Sequence, residues 1–324
     1  MSCMNRRSFV FAAAAPLVAA AFPRSLQAAQ AGGGTVALVT ADLEAHLVAV
    51  ETTTGRIVKR IATAPGPRSI ESNAFGQALV AHTTQGRLSV VDAATLSVVG
   101  EIGGLGQPRY TAMHPSERIA YVSDSKRGEV AVVDLVRREV VRRVGVPGPA
   151  RHLSLSGDGA LLWTALGTKA ERVAVLDLRD ATRPRLVRTF ATPFLAHDVV
   201  FSPDGSVWVT SGSERRIAVY DARGRGRPRL LAADAAPQHV AFAGTRAFVA
   251  SGDDGIVRFH RRDGSLLGLT RVPVGSYNVT VGGERIVTPS LGQGTVALLD
   301  PHGNVRRLRR IARSAHDACV VASG

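Results

Sequence analysis

The chain has 324 residues, of which 45% are hydrophobic and 5% aromatic, and it carries a formal net charge of +14. This hydrophobic content excludes an intrinsically disordered chain and is enough for a large buried core. The two cysteines, Cys3 in a predicted leader and Cys319 near the C-terminus, exclude an internal disulfide in the processed protein. We expect Cys319 to be a buried, unreactive thiol.

Residues 1–31 have the pattern of an export signal. Arg6 and Arg7 precede an alanine-rich apolar run over residues 9–22, and residues 29–31 provide a small-residue cleavage site. The paired arginines favour twin-arginine export over the general secretory route. The apolar run is shorter than the about 20 residues of a membrane-spanning helix, and no other segment qualifies. We therefore expect a periplasmic or secreted protein without a transmembrane segment.

One unit is repeated from Thr35 onwards. Its third strand is an apolar run that closes on an acidic residue in six of seven copies, with ends at Glu51, Asp92, Asp134, Asp177, Asp221, His260 and Asp300. Spacings of 39 to 44 residues match a four-stranded propeller blade and are too short for two βαβ units. Residues 32–324 are therefore predicted to form a single all-β domain, a seven-bladed β-propeller with four antiparallel strands per blade.

The first strand of the unit also occurs seven times, starting at residues 68, 109, 151, 197, 238, 277 and 316. The N-terminal unit lacks a first strand of its own, and the last first strand, HDACV, has no successors. Pairing this C-terminal strand with the N-terminal unit is predicted to close the ring, because closure removes an exposed sheet edge.

The segment over residues 120–165 resembles the YVTN family of seven-bladed propeller repeats. Tyr121-Val122-Ser123-Asp124 stands where that family has its signature tetrapeptide, VAVVD follows it, and Pro203-Asp204-Gly205 keeps the family's turn in a later unit. The resemblance implies an exported propeller and brings no catalytic motif. It therefore bears on the fold and leaves the function open.

Much of the positive charge falls in or beside the predicted fourth strands, which form the outer rim of a propeller. Arginines on edge strands oppose edge-to-edge aggregation, and this is the interpretation that we favour. An anion-attracting surface is the alternative. Nucleic acid is a disfavoured partner, because aromatic side chains that would stack on bases are nearly absent from these segments.

The starts of the seven first strands are expected to meet at one mouth of the central channel. The first position holds arginine in three successive units, and a guanidinium group matches a carboxylate or phosphate bidentately. A polar ring above an apolar body is a typical ligand site. The candidate ligand-binding residues are Arg68, Arg109, Arg151, His197, Asp198, His239, Tyr277, His316 and Asp317.

No cofactor is predicted, and a divalent metal is left open. If a metal is bound, its candidate ligands are His197, His239 and His316. The simpler alternative for each histidine is a hydrogen bond between blades. Adjacent residues on a regular strand point to opposite faces, so a His-Asp dipeptide is not by itself a ligand pair.

No catalytic residue is assigned, because nucleophile-elbow, zinc-protease and phosphate-loop motifs are absent from the sequence. An enzyme is therefore less expected than a binding protein. The function that we favour is a noncatalytic, monomeric, exported propeller that binds a protein partner or a small anionic ligand at the channel mouth. The alternatives are a propeller enzyme of the lactonase or lyase type and a periplasmic metal or redox accessory protein.

Overall fold

A computed structural model describes residues 34–167 and 170–322 and shows seven four-stranded antiparallel sheets arranged in a ring. The predicted fold class is thus confirmed, while the predicted leader and Cys3 lie outside the described residues. Besides strands, the described part of the chain contains a short 3₁₀ turn at Thr83–Gln85. In these two ranges no helix is long and apolar enough to cross a membrane.

Each blade has four strands, ordered from the channel outwards. The innermost strands are β28 (Ala318–Ala322), β4 (Pro67–Ser72), β8 (Pro108–Met113), β12 (Leu153–Leu155), β16 (Val199–Phe201), β20 (Val240–Ala243) and β24 (Thr280–Gly282). The second strands are β1 (Thr35–Ala41), β5 (Gln77–His82), β9 (Ile119–Asp124), β13 (Leu161–Ala165), β17 (Val207–Thr210), β21 (Arg246–Ser251) and β25 (Arg285–Ser290). The third strands are β2 (His46–Glu51), β6 (Arg87–Asp92), β10 (Glu129–Asp134), β14 (Ala170–Asp177), β18 (Arg216–Tyr220), β22 (Ile256–Arg261) and β26 (Thr295–Leu299). The outermost strands are β3 (Ile57–Ala62), β7 (Ser97–Ile102), β11 (Glu139–Gly145), β15 (Arg185–Ala196), β19 (Arg229–Ala232), β23 (Leu266–Arg271) and β27 (Val305–Arg310).

The ring is closed by the two ends of the chain. Strand β28 pairs antiparallel with β1, with Val321 opposite Val36 and Cys319 opposite Leu38. Cys319 is buried in the cluster that contains both of these β1 residues, and burial raises the pKa of its thiol. The predicted closure and the predicted burial of Cys319 are both confirmed.

The core lies between neighbouring blades. Seven buried clusters, one at each interface, are built mainly from Val, Leu, Ile and Ala. The second and third strands are covered on both faces, which explains their nearly continuous apolar sequences. Two large side chains at equivalent strand positions also link blades: Trp163 donates its indole N–H to the Ala222 carbonyl at 2.8 Å, and Tyr121 donates its hydroxyl to Ala181 at 2.9 Å.

The outermost strands carry the basic residues to the outside of the ring. All six residues of β27, four of them arginines, are exposed. Among the described strands this one pairs with β26 alone, so arginine side chains flank its other, unpaired edge.

Candidate functional site

Four of the inner strands are preceded by a segment with an extra residue at the channel mouth. The amide of Arg151 donates to the Ala165 carbonyl, while the Ala165 amide donates to the carbonyl of His152, so two residues lie opposite one. This two-against-one pattern is that of a β-bulge, which re-aims side chains and interrupts the alternation of a regular strand. The same pattern places His197 and Asp198 opposite Thr210, Gln238 and His239 opposite Ala250, and His316 and Asp317 opposite Thr40.

Hydroxyl groups on the second strands fix two of these bulges to the next blade. Thr210 Oγ1 accepts a hydrogen bond from the amide of Asp198 at 3.1 Å and donates to the Gln238 carbonyl at 2.6 Å. Thr40 Oγ1 likewise accepts from the amide of Asp317 at 2.9 Å and donates to the Arg68 carbonyl at 3.2 Å. The mouth is therefore held by bonds between blades as well as within them.

Three histidines from consecutive blades converge at this mouth. We call His152, His197 and His239 the histidine cluster. The ring centroids are 4.6 Å apart for His152 and His197, 4.9 Å for His152 and His239, and 5.2 Å for His197 and His239. One ring nitrogen from each lies within 4.8 Å of the other two. Burial, followed by the two neighbouring imidazoles, holds the pKa of His152 well below its usual range.

The side chain of Asp198 contacts residues of the next blade. Its Oδ2 atom lies 3.4 Å from Nδ1 of His239 and accepts the amide of Val240 at 3.3 Å, while Oδ1 accepts the amide of Val199 at 2.9 Å. The side-chain partner of Asp198 is thus a histidine of the neighbouring blade.

Tyr110 covers the histidine cluster from the adjoining blade. Its ring centroid lies 4.1 Å from that of His152, with the two rings tilted by 36°. Arg151 makes a side-chain hydrogen bond to Tyr110. Burial raises the pKa of the Tyr110 phenol, so the hydroxyl stays protonated at neutral pH.

The predicted arginines come from three consecutive blades, and Arg151 adjoins the histidine cluster through His152 and Tyr110. We call Arg68, Arg109 and Arg151 the arginine arc. Burial lowers the pKa of Arg109, and the charges of Arg151 and Arg68 lower it further, so the three groups are within electrostatic range of one another. Arg68 lies 3.9 Å from a carboxylate oxygen of Asp42, whereas Arg109 Nε donates to the neutral hydroxyl of Ser125 at 3.0 Å.

The remaining predicted site residues make contacts outside the histidine cluster. His316 Nδ1 lies 2.8 Å from the Arg68 carbonyl, and burial together with the Arg68 charge lowers the pKa of His316 to about 3. Asp317 accepts the amides of Ile70 at 3.1 Å and Ala318 at 2.9 Å, and burial raises its pKa to about 6. Tyr277 donates its hydroxyl to Asp253 at 2.8 Å.

A cavity of about 370 Å³ continues from the mouth along the channel wall. It runs past Asp198 and is otherwise bordered mainly by the inner strands β4, β8, β12 and β16. The Glu71 side chain is accessible and borders this cavity. Enclosure there, with a smaller contribution from Asp317, raises the pKa of Glu71 to about 8.

The sequence prediction omitted His152 and Tyr110 from the candidate site. Both occupy the second position of a first strand as predicted from the sequence, one residue after Arg151 and Arg109 respectively. On a regular strand these second positions would point away from the side chains of the first positions. Only the bulge brings His152 together with His197. Neither the Arg151–His152 pair nor the His197–Asp198 pair contains a glycine or proline that would indicate a bulge in the sequence.

Comparison with known proteins supports the architecture. No protein-family model matches the chain, and the curated proteins contain no match, so the resemblance to YVTN repeats stays a prediction. A chain of hydrazine synthase from Kuenenia stuttgartiensis is similar in structure, with a TM-score of 0.71 and 17% identity over 82% of this chain and 92% of that chain.

Two further solved structures are similar at 11% identity. One is a functionally unknown protein from Desulfotomaculum acetoxidans, with a TM-score of 0.77 over 89% of this chain and 99% of that chain. The other is a Bacteroides fragilis protein proposed to be a 6-phosphogluconolactonase, with a TM-score of 0.74 over 90% of this chain and 99% of that chain. At these identities the three likenesses show that the chain is a β-propeller, and they carry neither activity nor substrate to it.

Proposed function

We propose that the channel mouth of this propeller binds a small ligand that carries a carboxylate or phosphate group, and that the arginine arc holds that group. The observation that carries the proposal is the position of Arg109. Its blade lies between those of Arg68 and Arg151, whose charges lower its pKa, and the hydrogen bond of its Nε goes to the neutral Ser125 hydroxyl. A bound anion would offset this repulsion.

The energetics favour an anion that bridges the arc. A hydrogen bond to a charged group contributes about 1.5 to 3 kcal/mol, and a guanidinium fork can make two such bonds to one carboxylate or phosphate. Asp42 offsets part of the charge of Arg68. Glu71 does not share this role, because its carboxyl group lies in the channel with a pKa of about 8 and is mostly protonated at neutral pH.

The cavity next to the mouth supports a ligand of small-molecule size. Its volume of about 370 Å³ is within the range of small-molecule sites, and its border combines Asp198 with apolar residues such as Leu153 and Leu155. A ligand with one anionic end could bind the arginine arc and place an uncharged end in the channel. The proposal concerns binding and assigns no reaction.

The test compares two triple variants that lose the same charge. In one, Arg68, Arg109 and Arg151 are changed to glutamine; in the matched control, Arg307, Arg309 and Arg310 on the exposed strand β27 are changed to glutamine. Binding of inorganic phosphate and of succinate is measured by calorimetry at several salt concentrations. We expect the first variant to lose at least about tenfold in affinity and the control to lose far less. Equal affinity and equal salt dependence in the first variant and the wild type would refute the proposal.

A further inference from the structure

The histidine cluster is not explained by anion binding. His152 is 1% exposed, and neither of its ring nitrogens has a hydrogen-bond partner among the described residues. Another buried histidine of this protein shows the usual arrangement, because His82 bonds through Nε2 to the Ser89 hydroxyl at 2.9 Å and through Nδ1 to the Pro65 carbonyl at 3.2 Å. Buried polar groups in proteins are nearly always satisfied in this way. We therefore expect the His152 imidazole to bind a partner other than the described protein groups.

The three rings are arranged as ligands of one ion would be. They are inclined at 47°, 65° and 80° to one another and are not stacked face to face. A ring nitrogen of each lies within 4.8 Å of the other two. In a tetrahedral site with metal–nitrogen distances near 2.0–2.1 Å, ligand nitrogens lie about 3.4 Å apart. Metal binding would therefore require rotations of the three imidazoles that shorten the distances between their nitrogens.

Asp198 gives independent support from outside the cluster. A histidine that ligates a metal usually has a carboxylate or carbonyl at its other ring nitrogen, which sets the tautomer and the ring orientation. Asp198 Oδ2 stands 3.4 Å from Nδ1 of His239, which directs Nε2 of that ring to the other side. Asp198 is itself fixed by the amides of Val199 and Val240. Its carboxylate also offsets part of the positive charge that a cation would add beside the arginine arc.

We propose that His152, His197 and His239 bind a first-row transition-metal dication, with Zn²⁺ as the reference ion. Imidazole nitrogen suits zinc, copper, nickel and iron, whereas calcium and magnesium require oxygen ligands, which the cluster does not offer. Three protein ligands leave a position for a fourth donor, as in zinc sites that bind water or a ligand. The site goes beyond the proposed anion binding and does not depend on it.

The primary test is a titration of the purified chain with Zn²⁺ after chelator treatment and dialysis, followed by calorimetry. We expect one equivalent to bind per chain, and Co²⁺ in place of Zn²⁺ should give the visible absorption of a site with nitrogen ligands. His197→Gln removes one ligand and should weaken binding by more than about 100-fold. His302→Gln, at an exposed histidine next to β27, is the matched control and should bind as the wild type does.

Three results would overturn this proposal. The first is a folded wild type, verified by circular dichroism, that binds no stoichiometric Zn²⁺ and gives no Co²⁺ spectrum. The second is unchanged affinity in His197→Gln, or in His239→Asn if the first variant does not fold. The third is an equal loss of affinity in His302→Gln. The glutamine variant of the arginine arc should retain one equivalent of Zn²⁺, so failure of anion binding and failure of metal binding can be told apart.

Discussion

Asp198 lies against His239 of the next blade, with 3.4 Å between Oδ2 and Nδ1, and its sequence neighbour His197 belongs to the same histidine cluster. A pair of adjacent residues thus serves two purposes: one contributes an imidazole, and the other orients the imidazole of the following blade. This relationship makes Asp198 a positioning residue that can be tested separately from the ligands.

We expect Asp198→Asn to weaken Zn²⁺ binding by about 10- to 100-fold, because a carboxylate beside a ligand histidine raises its basicity and fixes its tautomer. The matched control is Asp317→Asn. Asp317 accepts two backbone amides in the same way, from Ile70 and Ala318, so it should show a similar loss of thermal stability with a much smaller change in affinity. Calorimetry and thermal unfolding of both variants give the comparison, and equal affinity losses would contradict the assigned role of Asp198.

Gly212→Ala should disturb His197 specifically. Gly212 has a φ of +67°, and a Cβ atom there would lie 2.6 Å from Cβ of His197. Gly205 in the same blade has a φ of +84° and open space around the position of its missing Cβ. In both alanine variants the left-handed conformation should lower the free energy of unfolding by about 1–2 kcal/mol.

Only Gly212→Ala should lose further stability and also Zn²⁺ affinity, as measured by chemical denaturation and calorimetry. Identical behaviour of the Gly212 and Gly205 variants would show that the position of His197 does not depend on the close approach of Gly212.

Truncation after Ser314 should abolish the closed ring. The deletion removes β28, whose residues pair with β1 and pack in the clusters on both sides of that blade. The exposed edge of β1 is then available for intermolecular pairing, so we expect aggregation or a large loss of thermal stability. Size-exclusion chromatography and thermal unfolding measure the effect, with deletion of residues 323–324 as the control. A soluble monomer with unchanged thermal stability would contradict the role of this closure.

Glu71→Gln should flatten the pH dependence of stability. The pKa of Glu71 is raised from 4.5 to about 8 in the folded state, so between these values the folded state holds a proton that the unfolded state releases. Raising the pH through this window therefore favours unfolding. The wild-type melting temperature should fall between pH 5 and pH 8 by more than that of the variant.

The control for this measurement is Glu284→Gln, which removes an exposed carboxyl group in the turn between β24 and β25. Its pH profile should parallel that of the wild type. A Glu71→Gln profile that also parallels the wild type would show that Glu71 does not carry a proton in the folded state at neutral pH.

The sequence was sufficient to predict the architecture because the fold is repeated. A strand such as VAVVD, ending at Asp134, recurs at near-constant spacing, so a strand recognised in one copy predicts the equivalent strand in the others. Closure was predictable from the unmatched strand around Cys319, since a propeller without it would leave an edge exposed. Packing between blades needs apolar second and third strands, and their nearly continuous apolar runs are visible in the sequence.

The site was predicted only in part, because its geometry depends on a departure from the repeat. The metal ligands proposed from the sequence were His197, His239 and His316. Alternation along a regular strand gives no reason to place His152 beside His197. The bulge invalidates that rule at the channel mouth. The charge state of Glu71 was equally hidden, because it follows from the enclosure of the channel and not from any neighbour in the sequence.

Because of the bulges, the side chains that can contact a ligand at the mouth are different from the buried side chains that stabilise the blades. Each one presents two side chains at the mouth, and its bonds to the second strand of its blade run through backbone groups, with a threonine hydroxyl added at two of them. The residues at these positions can therefore change while the blade clusters stay the same. Such pairs are natural sites for redirecting the protein to another ligand, because exchanging the Arg151–His152 pair alters the binding surface without requiring a new core.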